Sequence, residues 1–239
     1  MDPSQPVQRQ RSPWLYVLLG CGAFAVLSCL GVFATCGFVA KKGADMQAGI
    51  LDPKTRDENA VKMLGGIPDG YYPVASVSFF VVDTTVLCDS APLPDGGFEH
   101  PVTRTFMYFR VMAMEQNKKA RDFFTSDSKD TSGLRASGIN IDAKDVIKRG
   151  NLTVEGRRIY YVASRGEFES GARGAQAQPQ QGINTAMMFD CPGDQLRIGV
   201  WTMEDPNPKT PTSELDLTGT VADEQQLARF VKPMDPCGK

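Results

Sequence analysis

The chain has 239 residues, with 26 basic and 28 acidic side chains and one histidine. Setting aside Arg9, Arg11, Lys41, Lys42 and Asp2 leaves 22 basic against 27 acidic groups in residues 43–239, a net charge of −5 with no basic stripe, which argues against a nucleic-acid partner. The single histidine, His100, excludes the two-histidine metalloprotease motif and any multi-histidine metal centre.

Residues 1–13 are polar and rich in Pro and Gln, without an apolar period, and are expected to form a disordered cytoplasmic tail. Trp14 to Ala40 then contains no charged residue. As a helix this run measures about 40 Å, against a hydrocarbon core of roughly 30 Å, so it can span a bilayer with some tilt. A cleaved signal peptide has an apolar region of only about 7–15 residues. Leu18-Leu19-Gly20-Cys21 and Val26-Leu27-Ser28-Cys29 are loosely like lipid-attachment boxes, but apolar sequence continues past both cysteines. The segment 14–40 is therefore read as an uncleaved transmembrane helix, with the lipid bilayer as its partner. Trp14 and Tyr16 sit at one edge, where amphipathic rings favour the headgroup level. Basic residues flank both ends and do not decide the orientation. Long domains translocate largely regardless of charge, so the short tail is expected inside and the domain outside, in the periplasm of a Gram-negative cell.

Residues 41–66 are expected to form a juxtamembrane stalk and a short helix, opened by Asp52-Pro53 and closed by Gly65-Gly66. The soluble domain is assigned to residues 67–239. Val74 to Val82 reads as a strand, with Asp83-Thr84 turning the chain into a second, TVLCD. Ala91 to Pro101 is a loop by its proline and glycine load, and Thr103 to Met114 is again strand-like. EQNKKARDFFTS has a buried helical side in Ala120, Phe123 and Phe124. IDAKDVIKRG reads as another short helix with Asp142 as cap. NLTVEGRRIYYVAS reads as a hairpin through Glu155-Gly156, and Gly166 to Gly182 as a flexible loop. INTAMMFD and QLRIGVWTME form a second hairpin around CPGD. In its second arm Leu196, Ile198 and Val200 alternate with Arg197, Gly199 and Trp201, the period of a half-buried strand. ELDLTG is a candidate last strand. Thr220 or Asp223 caps a closing helix with Leu227, Phe230 and Val231 on one face. Strands and helices do not alternate regularly. The expected class is α+β, a mainly antiparallel sheet of about seven strands with a few short helices packed on one face.

Six cysteines divide evenly. Cys21, Cys29 and Cys36 lie in the apolar segment, where they behave as small hydrophobes. Cys88, Cys191 and Cys237 lie in the domain, and three allow one disulfide at most; in an exported domain the expected pair is Cys191 with Cys237.

Motifs that would carry chemistry are incomplete. Gly133 to Gly138 has phosphate-loop glycine spacing, but Ile139 and Asn140 stand where Lys and Ser/Thr are required. Asp127 to Gly133 lacks the closing glutamate of a calcium loop. Cys191-Pro192-Gly193-Asp194 lacks the second cysteine of a redox pair. Asp83, Asp89, Asp190, Glu204 and Asp205 fall near strand ends, where a carboxylate pair would have to be assembled by the fold. Asn151-Leu152-Thr153 is a glycosylation sequon only in a eukaryotic secretory setting. No residue is assigned a catalytic, cofactor-binding or metal-binding role.

At Trp14-Leu15, Gly20-Cys21-Gly22 and Gly70-Tyr71-Tyr72-Pro73 the chain resembles uncharacterised single-pass, membrane-anchored proteins of myxobacteria. That resemblance implies a bacterial origin and one membrane helix, and no activity. The expected function is a membrane-anchored domain of the cell envelope that binds a protein partner or supports an assembly, without catalysis. The alternatives are an anchored hydrolase using carboxylates or a thiol, and a small-ligand or lipid-binding envelope protein.

Overall fold

The computed structural model describes residues 52–238 apart from 80–81, 95–96, 113–114, 137–138, 142–145 and 171–179. The expected tail, transmembrane helix and first part of the stalk lie outside the described residues, as does the Asp142 cap. Among the described residues no helix is long and apolar enough to cross a membrane.

The first helix, α1 (Pro53–Leu64), begins where the sequence signals it. Asp52 is the N-cap and accepts from the Thr55 amide at 3.0 Å, and Pro53 occupies the first turn, where its missing N–H costs nothing. Gly65 ends it with φ +75°, a left-handed conformation that glycine adopts freely, and donates to the Val61 carbonyl at 2.8 Å.

Eight strands follow: β1 (Tyr72–Phe79), β2 (Val82–Cys88), β3 (Arg104–Val111), β4 (Ile139–Ile141), β5 (Val146–Val154), β6 (Arg157–Ser170), β7 (Gln180–Phe189) and β8 (Leu196–Met203). They form one antiparallel sheet in the order β1-β2-β3-β8-β7-β6, with β4 and β5 both paired to β6. Two meanders thus meet where β3 pairs with β8. Three further helices complete the described elements: α2 (Gln116–Thr125), α3 (Ser132–Ala136) and α4 (Glu224–Val231).

The sheet is covered on both faces, not on one. Residues of α1, α4 and the C-terminal tail join Phe106, Tyr108, Tyr161, Met187 and Trp201 in one apolar cluster. On the other face α2 and α3 supply Ala120, Phe123, Phe124 and Leu134 to a cluster with Met107, Phe109, Val162, Ile198 and Val200. The central strands are therefore dry on both sides. In β8, Leu196 to Thr202 are all buried, so Arg197 and Trp201 face a second core and not solvent, contrary to the half-buried expectation.

Four other expectations change. The segment read as a helix from Ile141 to Gly150 contributes instead to β4 and β5, because Val146 to Val154 pairs along β6 from Ser164 to Arg157. Arg149 holds β5 in place by donating to the Phe123, Ser126 and Ser128 carbonyls at 2.6, 3.1 and 2.8 Å, which supplies a cation to the C-terminal end of α2. Asp83 and Thr84 lie inside β2 and not at a turn, since Asp83 is satisfied there by Arg110. Of the stretch read as a loop from Gly166 to Gly182, residues 166–170 extend β6 and 180–182 open β7, with Gly166 facing Gly182 across the ladder, while 171–179 lie outside the described residues. ELDLTG makes no strand: Thr212–Glu214 is a 3₁₀ turn, and Leu215 and Leu217 pack onto the core as irregular chain.

Candidate functional site

A cleft of about 500 Å³ opens beside α4, where segments distant in sequence converge. β8 brings Trp201, β3 brings Arg104, the turn before β1 brings Tyr71, and α4 with its following tail brings Arg229, Phe230 and Lys232. The floor is aromatic and closely packed. Trp201 stacks on Phe230 with centroids 4.0 Å apart and planes 11° from parallel. Tyr71 and Phe106 both meet Phe230 edge-on, at 4.9 and 5.0 Å. Such contacts add about 0.5–1.5 kcal/mol each beyond area burial. The Trp201 indole N–H donates to the Tyr71 hydroxyl at 2.8 Å, satisfying a donor that burial would otherwise orphan.

The rim is charged. Arg104, Arg229 and Lys232 supply three cations against Asp69 and Glu155. Arg104 is tethered, donating to the Gly219 carbonyl at 3.2 Å, whereas Arg229 and Lys232 are exposed. Burial pushes the Tyr71 hydroxyl up to about 12, against the Trp201 hydrogen bond and the Arg104 charge, so it stays protonated and can donate to a ligand.

A larger, more open groove of about 1000 Å³ lies alongside, sharing Glu155 and Lys232 with the cleft, and runs past the disulfide. Cys191 and Cys237 are bonded there, with Cα atoms 5.2 Å apart. The tail is held further by Arg157, which pairs with Asp235 at 3.4 Å, and by the Asp235 amide, which donates to the Leu64 carbonyl at 2.5 Å.

The start of α4 shows how local charge supports the site. Asp223 caps the helix, accepting from the Gln225 and Gly219 amides at 2.9 Å each. Chiefly the Gly219 bond holds its carboxyl below the ordinary value. Glu224 is also lowered, first by the Tyr161 hydroxyl at 2.5 Å and then by Lys148 at 3.0 Å. Both folded values lie below the unfolded ones. Their contribution to stability is therefore present above the ordinary carboxylate range, about pH 4, and is lost as pH falls through the folded values. The expected result is a urea midpoint that declines from about pH 5 to pH 3, with a smaller decline in the Asp223→Asn, Glu224→Gln double variant. Equal declines in the two proteins would contradict this assignment.

The structure does not assemble the strand-end carboxylates into a pair. Asp83 is taken by Arg110, Asp89 by the Thr103 amide at 3.0 Å, and Asp205 by Arg165 at 2.6 Å, while Asp190 and Glu204 are exposed. Cys191 is spent in the disulfide and Cys88 is buried against Thr105. His100 is an exposed loop residue whose amide donates to Ser90. Asn151 is exposed on β5. Among the described residues no cluster of three or more His, Cys, Asp or Glu side chains could hold a metal ion.

Tyr71, Trp201 and Phe230 belong to three separate segments of the sequence, and nothing in their spacing joins them. The available signal was an aromatic at each of three element ends, spread over 160 residues. Comparison with protein-family models, with characterised proteins and with solved structures finds no match to this chain.

Proposed function

We propose that the chain is a single-pass, bilayer-tethered domain of the bacterial cell envelope that binds an acidic segment of a partner protein in the α4 cleft, without catalysis. The observation that carries it is the pairing of a closely packed aromatic floor with three cations at the rim. Buried aromatic anchors and arginine are the groups enriched at energetically important contacts, and the cationic excess favours an acidic partner. The charge-free run at residues 14–40 supports the tether. The Cys191–Cys237 bond supports placement of the domain outside the cytoplasm, since such bonds persist in oxidising compartments.

The full-length protein, extracted in mild detergent and affinity-purified, is expected to carry a stoichiometric partner. Reversing two rim charges, Arg229→Glu with Lys232→Glu, is expected to weaken that association by about tenfold or more. Recovery of a lone monomer in repeated extractions, or equal recovery of the partner by the variant, would count against the reading. A second reading, a small anionic ligand, is favoured by the cleft volume, which falls within the roughly 300–1,000 Å³ of small-molecule sites. Native mass spectrometry of the extracted protein separates the two by the mass of what is bound.

A further inference from the structure

On the face of the sheet that carries Trp201, but nearer the opposite ends of β3 and β8, the register sets four polar side chains in adjacent positions. Asp83 on β2 stands beside Arg110 on β3, and Arg110 stands beside Arg197 on β8. One pair further along, Tyr108 stands opposite Gly199. Gly199 must lack a side chain, because a Cβ there would lie 2.6 Å from the Phe106 ring.

The charges do not balance. Arg110 directs both Nε, at 2.7 Å, and Nη2, at 2.5 Å, to one oxygen of Asp83, so that carboxylate is committed. Arg197 is only 9% exposed, and among the described residues it forms no ion pair. Its Nη2 donates to the Gln195 side-chain oxygen at 3.2 Å. Its Nε and Nη1 are closed to solvent and have no hydrogen-bond partner among the described residues. The Tyr108 hydroxyl is equally closed and equally without one. Burial raises the Tyr108 pKa, opposed first by the Arg197 charge, then by Arg110, and last by a hydrogen-bonding contact from Arg197 itself, so the Arg197 guanidinium and the hydroxyl touch, but at a geometry too poor to satisfy either group. The row Asp83, Arg110, Arg197 therefore carries a net charge of +1, and unused N–H and O–H donors lie next to one another.

An uncompensated buried cation is among the costliest features a core can hold, and buried donors are almost always met. We infer that Arg197 is the cationic half of a buried site for a small monovalent anion of halide size, held at an open edge of its guanidinium with the Tyr108 hydroxyl as a further donor. The local charge of +1 is neutralised by one negative charge and overshot by two. The closure of these atoms to solvent favours a compact, weakly hydrated ion over a polyatomic one.

The test uses the full-length protein in neutral detergent, exchanged into gluconate and titrated with sodium chloride, bromide or sulfate at constant ionic strength, with melting temperature as the readout. A ligand that binds only the folded state stabilises it logarithmically with concentration. A hundredfold excess over Kd corresponds to a rise of roughly 5–10 °C for a chain of this size. Chloride and bromide are expected to give this saturating rise and to exceed sulfate. That order is the reverse of stabilisation by surface exclusion, where sulfate leads. Arg197→Met is expected to lose the halide response while keeping the response to sulfate, and Tyr108→Phe to fall between the two. Sulfate matching or exceeding chloride in the unmodified protein, or a halide rise that survives Arg197→Met, would overturn the site. Should Arg197→Met not fold, the order of the salts in the unmodified protein and the Tyr108→Phe titration decide.

Discussion

Replacing Cys191 and Cys237 together with alanine is expected to lower the unfolding free energy by about 4 kcal/mol. The bond joins residues 46 apart, and the segment it closes contains β8 and α4, the two elements that supply Trp201 and Phe230 to the cleft. Without it the unfolded chain regains the freedom of that whole loop, and the tail that carries Asp235 and Met234 onto α1 is tied by hydrogen bonds, the Arg157–Asp235 ion pair and burial. Such a loss is a large share of the 5–15 kcal/mol typical of a whole domain. Urea unfolding followed by far-ultraviolet circular dichroism, with and without reductant, provides the check. The midpoint should fall in the alanine variant, and reductant should shift the parent protein by the same amount. A midpoint unchanged by both treatments would mean the bond does not form in the folded protein.

Trp201→Ala is expected to cost about 3–5 kcal/mol, the range for truncating a large buried aromatic. Trp201 is 2% exposed at the middle of the sheet, between Phe106 on β3 and Thr185 on β7. Its removal takes away the stack on Phe230 and strips the Tyr71 hydroxyl of its donor, leaving a cavity beneath the cleft. Trp201→Phe keeps an aromatic face toward Phe230 but not the N–H, so its loss should be smaller. Circular dichroism is again the suitable probe, because the substitution removes a fluorophore. A cost below about 1 kcal/mol for the alanine variant would show that the site relaxes and that the aromatic floor is not rigid.

Local signals in the sequence translated well where the chain's own neighbours decide the outcome. Asp52-Pro53 and Gly65 bound α1 because caps act within a few residues. Glu155-Gly156 turns the β5–β6 hairpin with φ of +50° and +77°, the left-handed pair that such two-residue turns demand. β1, β2, β3, β7 and β8 were visible through their β-branched and aromatic residues. What failed was whatever distant packing decides. Val146 to Gly150 is short and polar enough to read as the end of a helix, but β6 offers an unpaired edge and Arg149 reaches α2. Arg197 looked like a solvent-facing residue because alternation implies one wet face, and no residue within β8 reports that both faces are covered.

The cleft was less legible for the same reason. Tyr71, Arg104, Trp201, Arg229 and Phe230 become neighbours only through the β3–β8 pairing and the docking of α4. The pairing of two meanders through their inner strands has no signature in spacing. Cysteine arithmetic is different, because the three cysteines of the domain allow only three pairings, and Cys191 with Cys237 is one of them.

The proposal stands on an anchored protein with its domain outside the cytoplasm, and one labelling experiment addresses both halves. Spheroplasts expressing the full-length chain are treated with a membrane-impermeant amine reagent, and the protein is recovered from the carbonate-washed membrane pellet. The exposed Lys54, Lys62 and Lys232 should then be modified, in protein that needs detergent for its release. Recovery of the intact polypeptide in the aqueous fraction, with those lysines unmodified until the cells are broken, would contradict the account.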